Sequence, residues 1–277
     1  MSSSAQVHIK AAAWSGGQTM RTPNQTLRIY FNEAKYEFLK LLRLPIYAIS
    51  TIAFPLMFYV LFGLVLNQRQ TVGSISVATY LLASYGAFGV IGASLFGFGV
   101  GVATERGQGW LQVKRASPMP PFAYFLAKLI MSSLFSLIVV LLLFTLGAAF
   151  GHVRMPLATW AALAGTLVMG ALPFGAMGLA IGYFAGPNSA PAVCNVLYLP
   201  MAFASGLWVP MEFLPKFMQS IAPFLPPYHF VQLALAQVGA RHIGGQWVHI
   251  AALNGFTLLF LVLAAVGYRR DEGKMYG

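Results

Sequence analysis

The chain has 277 residues, of which 58% are hydrophobic and 8% charged, with a formal charge of +11. That balance excludes an ordinary soluble domain and makes the bilayer the expected solvent. The 17 Lys and Arg residues are spread over loops and the N-terminal arm instead of forming one stripe, which argues against nucleic acid as a partner. Cys194 is the single cysteine and lies in an apolar run, so an intrachain disulfide, a CxxC motif and a cysteine-based zinc site are all excluded.

Residues 1–23 are rich in Ser, Ala, Gly and Gln and lack an apolar core, so they read as a disordered cytoplasmic leader and not as a cleaved signal peptide. From 24 to 45 an amphipathic interfacial helix is expected. Tyr30, Ala34, Phe38 and Leu41 fall on one side of it, with Arg28, Lys35 and Arg43 largely on the other. Pro45 breaks this helix, and the remainder, 46–277, forms the transmembrane domain.

A helix needs roughly 20 apolar residues to cross hydrocarbon about 30 Å thick. Six runs meet that length, near 46–66, 78–101, 124–150, 157–184, 190–210 and 249–268. Six crossings place both termini on one side. The arm, the 102–123 loop and the C-terminal tail hold Lys10, Arg21, Arg28, Lys35, Lys40, Arg43, Arg106, Lys114, Arg115, Arg269, Arg270 and Lys274. The opposite loops hold Arg69, Arg154, Lys216 and Arg241, so the basic-loop rule makes both termini cytoplasmic.

Gly89, Ala93, Gly97 and Gly101 form a four-residue ladder in the second run, and Gly178, Gly182 and Gly186 another at the end of the fourth. Both predict close helix approach, to a helix of this chain or of a second copy. Pro55, Pro173 and Pro200 predict kinks. Between Gly206 and Val248, Pro210, Pro215, Pro223, Pro226 and Pro227 cut the chain into apolar pieces too short to cross. They predict a re-entrant helical hairpin before the last span.

No Gly-x-x-x-x-Gly-Lys-Ser/Thr loop occurs, so ATP is not expected on this chain. The six acids, Glu33, Glu37, Glu105, Glu212, Asp271 and Glu272, all lie outside the middle of the spans. No buried ionisable group is expected, which argues against proton- or sodium-coupled carriage. Ser94 in a Gly-rich span and His242 in a later loop faintly match an intramembrane serine protease, but the pair needs hydrogen-bond reach that these positions do not offer.

The segment from Thr104 to Pro118 sets charge beside a short turn of helix, followed by Pro118, Pro120 and Pro121 as a rigid stop. With it in place, the chain resembles the permease subunits of type-2 ABC exporters. The resemblance covers roughly residues 24–270 and rests on Glu105-Arg106 followed by Gly109, Leu111, Ser117 and Pro118. A second local match is Ser205-Gly206, Pro210, Leu214-Pro215 and Leu225-Pro226. The order of elements is also that of the family.

The resemblance implies an all-α integral membrane protein of a bacterial-type inner membrane, paired with a second copy of itself and a separate nucleotide-binding ATPase that carries ATP and magnesium. It implies that Glu105 to Ala116 is a coupling helix, with Glu105, Arg106, Gly109, Trp110, Leu111, Lys114 and Arg115 contacting the ATPase. The cargo expected is amphiphilic or drug-like, with a polysaccharide or glycolipid as the alternative. Phe54, Phe58, Phe88, Phe96, Asn195, Tyr198 and Phe203 are candidate path-lining groups, because aromatic walls with few polar groups suit such a cargo.

Overall fold

The computed structural model describes residues 23–67, 70–116 and 121–273; the expected leader, but for Pro23, lies outside them. Helix α1 (Pro23–Leu42) lays Ala34, Glu37 and Leu41 inward and exposes Arg28, Lys35 and Arg43. This is the two-sided pattern expected from the sequence. Its apolar side packs on α5 (Pro121–Ala149) and α2 (Pro45–Phe58), where Phe38 and Tyr47 meet Phe135.

Pro55 lies inside α2, and the helix continues beyond it as a wider π-type stretch, Tyr59–Leu66. A proline withholds one N–H from the ladder and its ring crowds the preceding turn, so the local winding adjusts. A small hairpin of β1 (Thr71–Val72) and β2 (Ile75–Ser76) follows, turning at Gly73, whose φ is +60°. Ser76 then caps α3 (Val77–Gly107) by accepting the Thr79 N–H at 3.1 Å.

Helix α3 is the axis of the bundle and is buried along most of its length. It packs chiefly against α7 (Ala171–Phe184) and α5, while α11 (Gln246–Gly273) packs on the far side of α7. The expected fourth span is two helices in line, α6 (Leu157–Met169) and α7, broken at Gly170. Pro173 lacks the N–H that would bond to Met169, and Phe230 of α10 (Pro226–Gln237) fills the notch; a Cβ on Gly170 would lie 2.2 Å from its ring.

The glycine ladders resolve into contacts within the chain. Gly89 faces Val139 and Pro55, Gly97 faces Tyr47 and Met131, and Gly101 faces Lys128. Gly178 and Gly182 press against the α3 backbone at Leu95 and Gly99, where an added Cβ would sit 2.6 Å and 3.0 Å from carbonyl oxygens. Gly186 lies beyond the end of α7 and joins no seam; its nearest neighbour is the Ser189 hydroxyl.

Five helical segments among the described residues are long and apolar enough to cross a membrane: Tyr47–Leu66, Val77–Gly107, Ala123–Ala149, Leu157–Phe184 and Gln246–Asp271. The run expected at 190–210 is shorter, because α8 (Ala190–Ala204) stops after 15 residues. Its end is set by Ser205 and Gly206, the latter at φ +79°, a conformation only glycine adopts without strain. At 1.5 Å per residue it is about 22 Å long. The Pro-cut region holds α9 (Lys216–Ile221), two single 3-10 turns and α10, each too short to span.

Candidate functional site

Gly109, at φ +75°, ends α3 and turns the chain into α4 (Trp110–Ala116). Glu105 and Arg106 therefore belong to the last turn of α3, and the short helix proper begins only at Trp110. Leu111 anchors α4 by packing into a cluster with Val102, Tyr124, Leu179 and Tyr183. Trp110 and Val113 face outward, 55% and 59% exposed. The Arg115 side chain lies outside the described residues.

Beneath α4 four helices meet in a network of ions. Lys128 of α5 is 1% exposed and reaches Glu37 of α1 and Glu105 of α3, each at 3.0 Å. Lys40 of α1 also bonds Glu105, and the Tyr124 hydroxyl donates to the other Glu105 oxygen at 2.7 Å. Lys114 of α4 reaches Glu33 at 2.5 Å and Glu37 at 2.9 Å, and stands 4.5 Å from the centre of the Tyr124 ring. Three lysines thus meet three glutamates.

Charges buried this way are tolerable only when each is paired and hydrogen-bonded. Burial by itself would raise the Glu37 carboxyl, but Lys128, Lys114 and Lys40 outweigh it and hold it below the ordinary range. Burial would likewise lower the Lys114 ammonium, and Glu37, Glu33 and Glu105 together raise it instead. The network cross-braces α1, α3, α4 and α5 at one end.

Arg106 braces a different set of helices. Its guanidinium donates to the carbonyls of Tyr183 and, at 2.8 Å, Ala185, and stands 3.7 Å from Asp271 of α11. A cation at the carbonyl end of α7 satisfies acceptors that the helix leaves open and suits the helix dipole. The same end of the bundle therefore joins α3, α7 and α11.

Toward the middle of the bundle the aromatic rings form one continuous wall. Phe58 contacts Phe54 (6.1 Å), Phe88 (6.3 Å) and Trp208 (5.7 Å), and Phe88 stacks on Tyr198 at 4.9 Å. Phe96 meets Tyr198 at 6.0 Å and Phe203 meets Trp208 at 6.3 Å. The Tyr198 hydroxyl donates to the Phe88 carbonyl at 2.6 Å, which pins α8 to α3. The Trp208 indole N–H is buried with no hydrogen-bond partner among the described residues.

The match of residues 32–238 to the ABC-2 type transporter model covers most of this architecture, from the middle of α1 to just past α10. The chain belongs to the ABC-2 type transporter family. A Bacillus subtilis (strain 168) protein named "Putative transport permease YvfS" is 31% identical over 236 residues, spanning 85% of this chain and 95% of that one. The chain is thus an ABC-2 permease subunit, a multi-pass membrane protein of a transporter.

In this ABC-2 permease the expected coupling residues other than Arg115 divide by direction. Trp110 points outward; Glu105, Arg106, Leu111 and Lys114 point into the bundle, the last two fixing α4 there, and Gly109 supplies the turn. Replacing Glu105 would deprive Lys128 and Lys40 of a carboxylate partner, and replacing Arg106 would leave the Tyr183 and Ala185 carbonyls without their donor. Of the path candidates, all six aromatic residues lie in the one wall. Asn195 does not: it is exposed, and its amide donates back to Pro191 of its own helix at 3.1 Å.

The expectation of no buried ionisable group is overturned by Glu37, Glu105, Lys128, His229 and His249, all nearly inaccessible. The acids sit at helix ends, as their positions indicated, yet the bundle folds over them. Lys128 was the available signal, as the one basic residue inside an apolar run. Ser94 and His242 are not joined: the Ser94 hydroxyl is buried with no hydrogen-bond partner among the described residues, and His242 contacts the Ala240 carbonyl at 3.2 Å.

Proposed function

We propose that this subunit is the membrane half of an ATP-driven exporter, working as two copies with a separate ATPase that carries ATP and magnesium. The observation that carries this reading is α4: a short helix clamped from below by buried ion pairs while Trp110 and Val113 face outward. A rigid, exposed knob joined directly to the central helix is suited to pass a push from a docked subunit into α3. Glu105 and Arg106 act in coupling by tying the end of α3, which carries that knob, to α1, α5, α7 and α11, and Trp110 and Val113 supply the contact.

The basic arm, α4 and the C-terminal tail share one end, which is cytoplasmic under the basic-loop rule. In a bacterial-type inner membrane α1 then lies in the headgroup region, its exposed Leu27, Phe31 and Tyr36 meeting lipid and Arg28 and Lys35 meeting phosphate. Helix α8 serves as a short sixth span, and α9 and α10 as the re-entrant pair beneath the outer surface.

Alternating access needs two states with different affinity for the cargo. The aromatic wall from Phe54 to Phe203 is the cargo-facing surface in this reading, apolar along its length. Such a wall favours an amphiphilic or drug-like molecule.

The test is W110A/V113A in the full chain. The variant is expected to insert and melt like the wild type while losing at least tenfold in recovery of a co-purifying ATPase and in ATP-dependent export. Undiminished recovery and export by a normally inserted variant would remove α4 as the docking element. No ATPase recovered with the wild type itself would remove the exporter reading.

A further inference from the structure

Two histidines outside the regions described above meet at the end of the bundle opposite α4. His229, in the first turn of α10, and His249, in the first turn of α11, are both buried, and their Nδ1 atoms lie 2.9 Å apart. The other nitrogen of each is engaged too. His229 Nε2 lies 2.8 Å from the Pro223 carbonyl oxygen, and His249 Nε2 lies 2.6 Å from that of Ile243.

These are three contacts at hydrogen-bond distance, and each needs one hydrogen. A carbonyl oxygen has none to give, so both Nε2 atoms must donate. Two neutral imidazoles carry only one N–H apiece, which leaves the Nδ1 atoms facing each other with two lone pairs. Moving a hydrogen to either Nδ1 merely transfers the vacancy to a carbonyl contact. One extra proton fills all three contacts, whereas two would set N–H against N–H.

We propose that His229 and His249 form a site that binds a single proton, shared between their Nδ1 atoms, and that this proton fastens α10 and the preceding turn to the start of α11. Rings enclose the pair. The Tyr228 ring meets both imidazoles edge-on, at 5.3 and 5.9 Å, and Phe256 lies 6.1 Å from His229. Gln232 accepts the Ile243 N–H at 2.8 Å, and Gly244, at φ +89°, lets the loop fold onto His249.

The other titratable groups facing the pair are Tyr228 on α10 and His242 on the connecting loop. The loop's ion pair, Arg241 with Glu212 at 3.5 Å, is on the surface. Among the described residues neither imidazole pairs with a carboxylate. The carbonyl oxygens of Pro223 and Ile243 are the acceptors that face the charge. This proposal stands independently of the exporter reading.

The full chain labelled with 15N-histidine in phospholipid nanodiscs tests it directly. At pH 7 both Nε2 atoms are expected to be protonated, with one further proton coupled to both Nδ1 atoms. Absence of that further proton, or an unprotonated Nε2 on either ring, overturns the proposal, because the pair would then be neutral. Melting across pH 5 to 9 gives a second reading, set against H229Q/H249Q. The wild type is expected to be most stable near neutrality and to lose about 2–4 °C at each extreme relative to the variant. Parallel profiles would also overturn it. Should the variant fail to fold, the NMR measurement on the wild type decides.

Discussion

Lys128 shows what one side chain does in this molecule. It stands between Glu37 and Glu105 at 3.0 Å from each, and removing it leaves two buried carboxylates sharing Lys40 and Lys114. Breaking a buried ion pair from one side costs about 3–5 kcal/mol, because the charge left behind is desolvated and unpaired. K128M is therefore expected to lower the melting temperature sharply in detergent. K128M/E37Q/E105Q should recover part of that loss; a triple variant less stable than the single would refute the account. The same site gives a pH dependence. The Glu37 carboxyl is held below its ordinary value of 4.5, so its contribution to stability is complete above that pH and is lost as pH falls through the depressed value. Acid melting curves of E37Q should accordingly be flatter below pH 4.5 than those of the wild type.

At the scale of elements, the contact between α3 and α7 is made backbone to backbone. A methyl group on Gly178 would meet Leu95 O at 2.6 Å and the Phe98 Cβ at 2.9 Å, and neither helix can yield without sliding along the other. Overpacking of this kind costs about 1–3 kcal/mol, and G178A should show it as a lower melting temperature and weaker insertion yield. G165A is the matched control. Gly165 lies in α6 with nothing within 4 Å of an added methyl, so its replacement is expected to be neutral or to gain up to about 1 kcal/mol from helix propensity. Equal losses for the two glycines would show that close approach is not what Gly178 provides. The break at Gly170 is an element-scale feature of a different kind: Pro173 removes the ladder bond, and Phe230 takes the room.

For the whole molecule, the testable statement is which surfaces lie on which side. Trp110 on α4 and Trp247 on α11 are both exposed at opposite ends of the bundle, and Cys194 is buried beside Gly99. An impermeant maleimide is expected to leave the wild type unlabelled, to label W247C in intact cells, and to reach W110C only after the membrane is opened. Labelling of both variants from outside would reverse the proposed orientation or remove the crossing between them.

Most of the fold was readable from the sequence, because in hydrocarbon the length and composition of an apolar run fix the helix that satisfies its own backbone. The runs at 46–66 and 157–184 coincide with helical segments, and the expected ends at 101 and 150 lie within six residues of those found. The meeting of Phe54, Phe58, Phe88, Phe96, Tyr198 and Phe203 in one wall follows from similar physics: aromatic rings in facing helices have few other places to pack. The glycine ladders showed that helices would approach, but spacing cannot name a partner. Only the tertiary structure assigned Gly178 to α3 and Gly89 to α5 and α2. It alone turned Glu105 and Arg106 inward, since the direction of a side chain at a helix end depends on which elements fold over it. Glu37, Lys40, Lys114 and Lys128 span 92 residues of sequence and converge because four helices meet there, a long-range arrangement for which periodicity carries no signal. The His229–His249 contact follows the same rule: each residue is an unremarkable ring in its own helix, and the shared proton exists only where the two first turns touch.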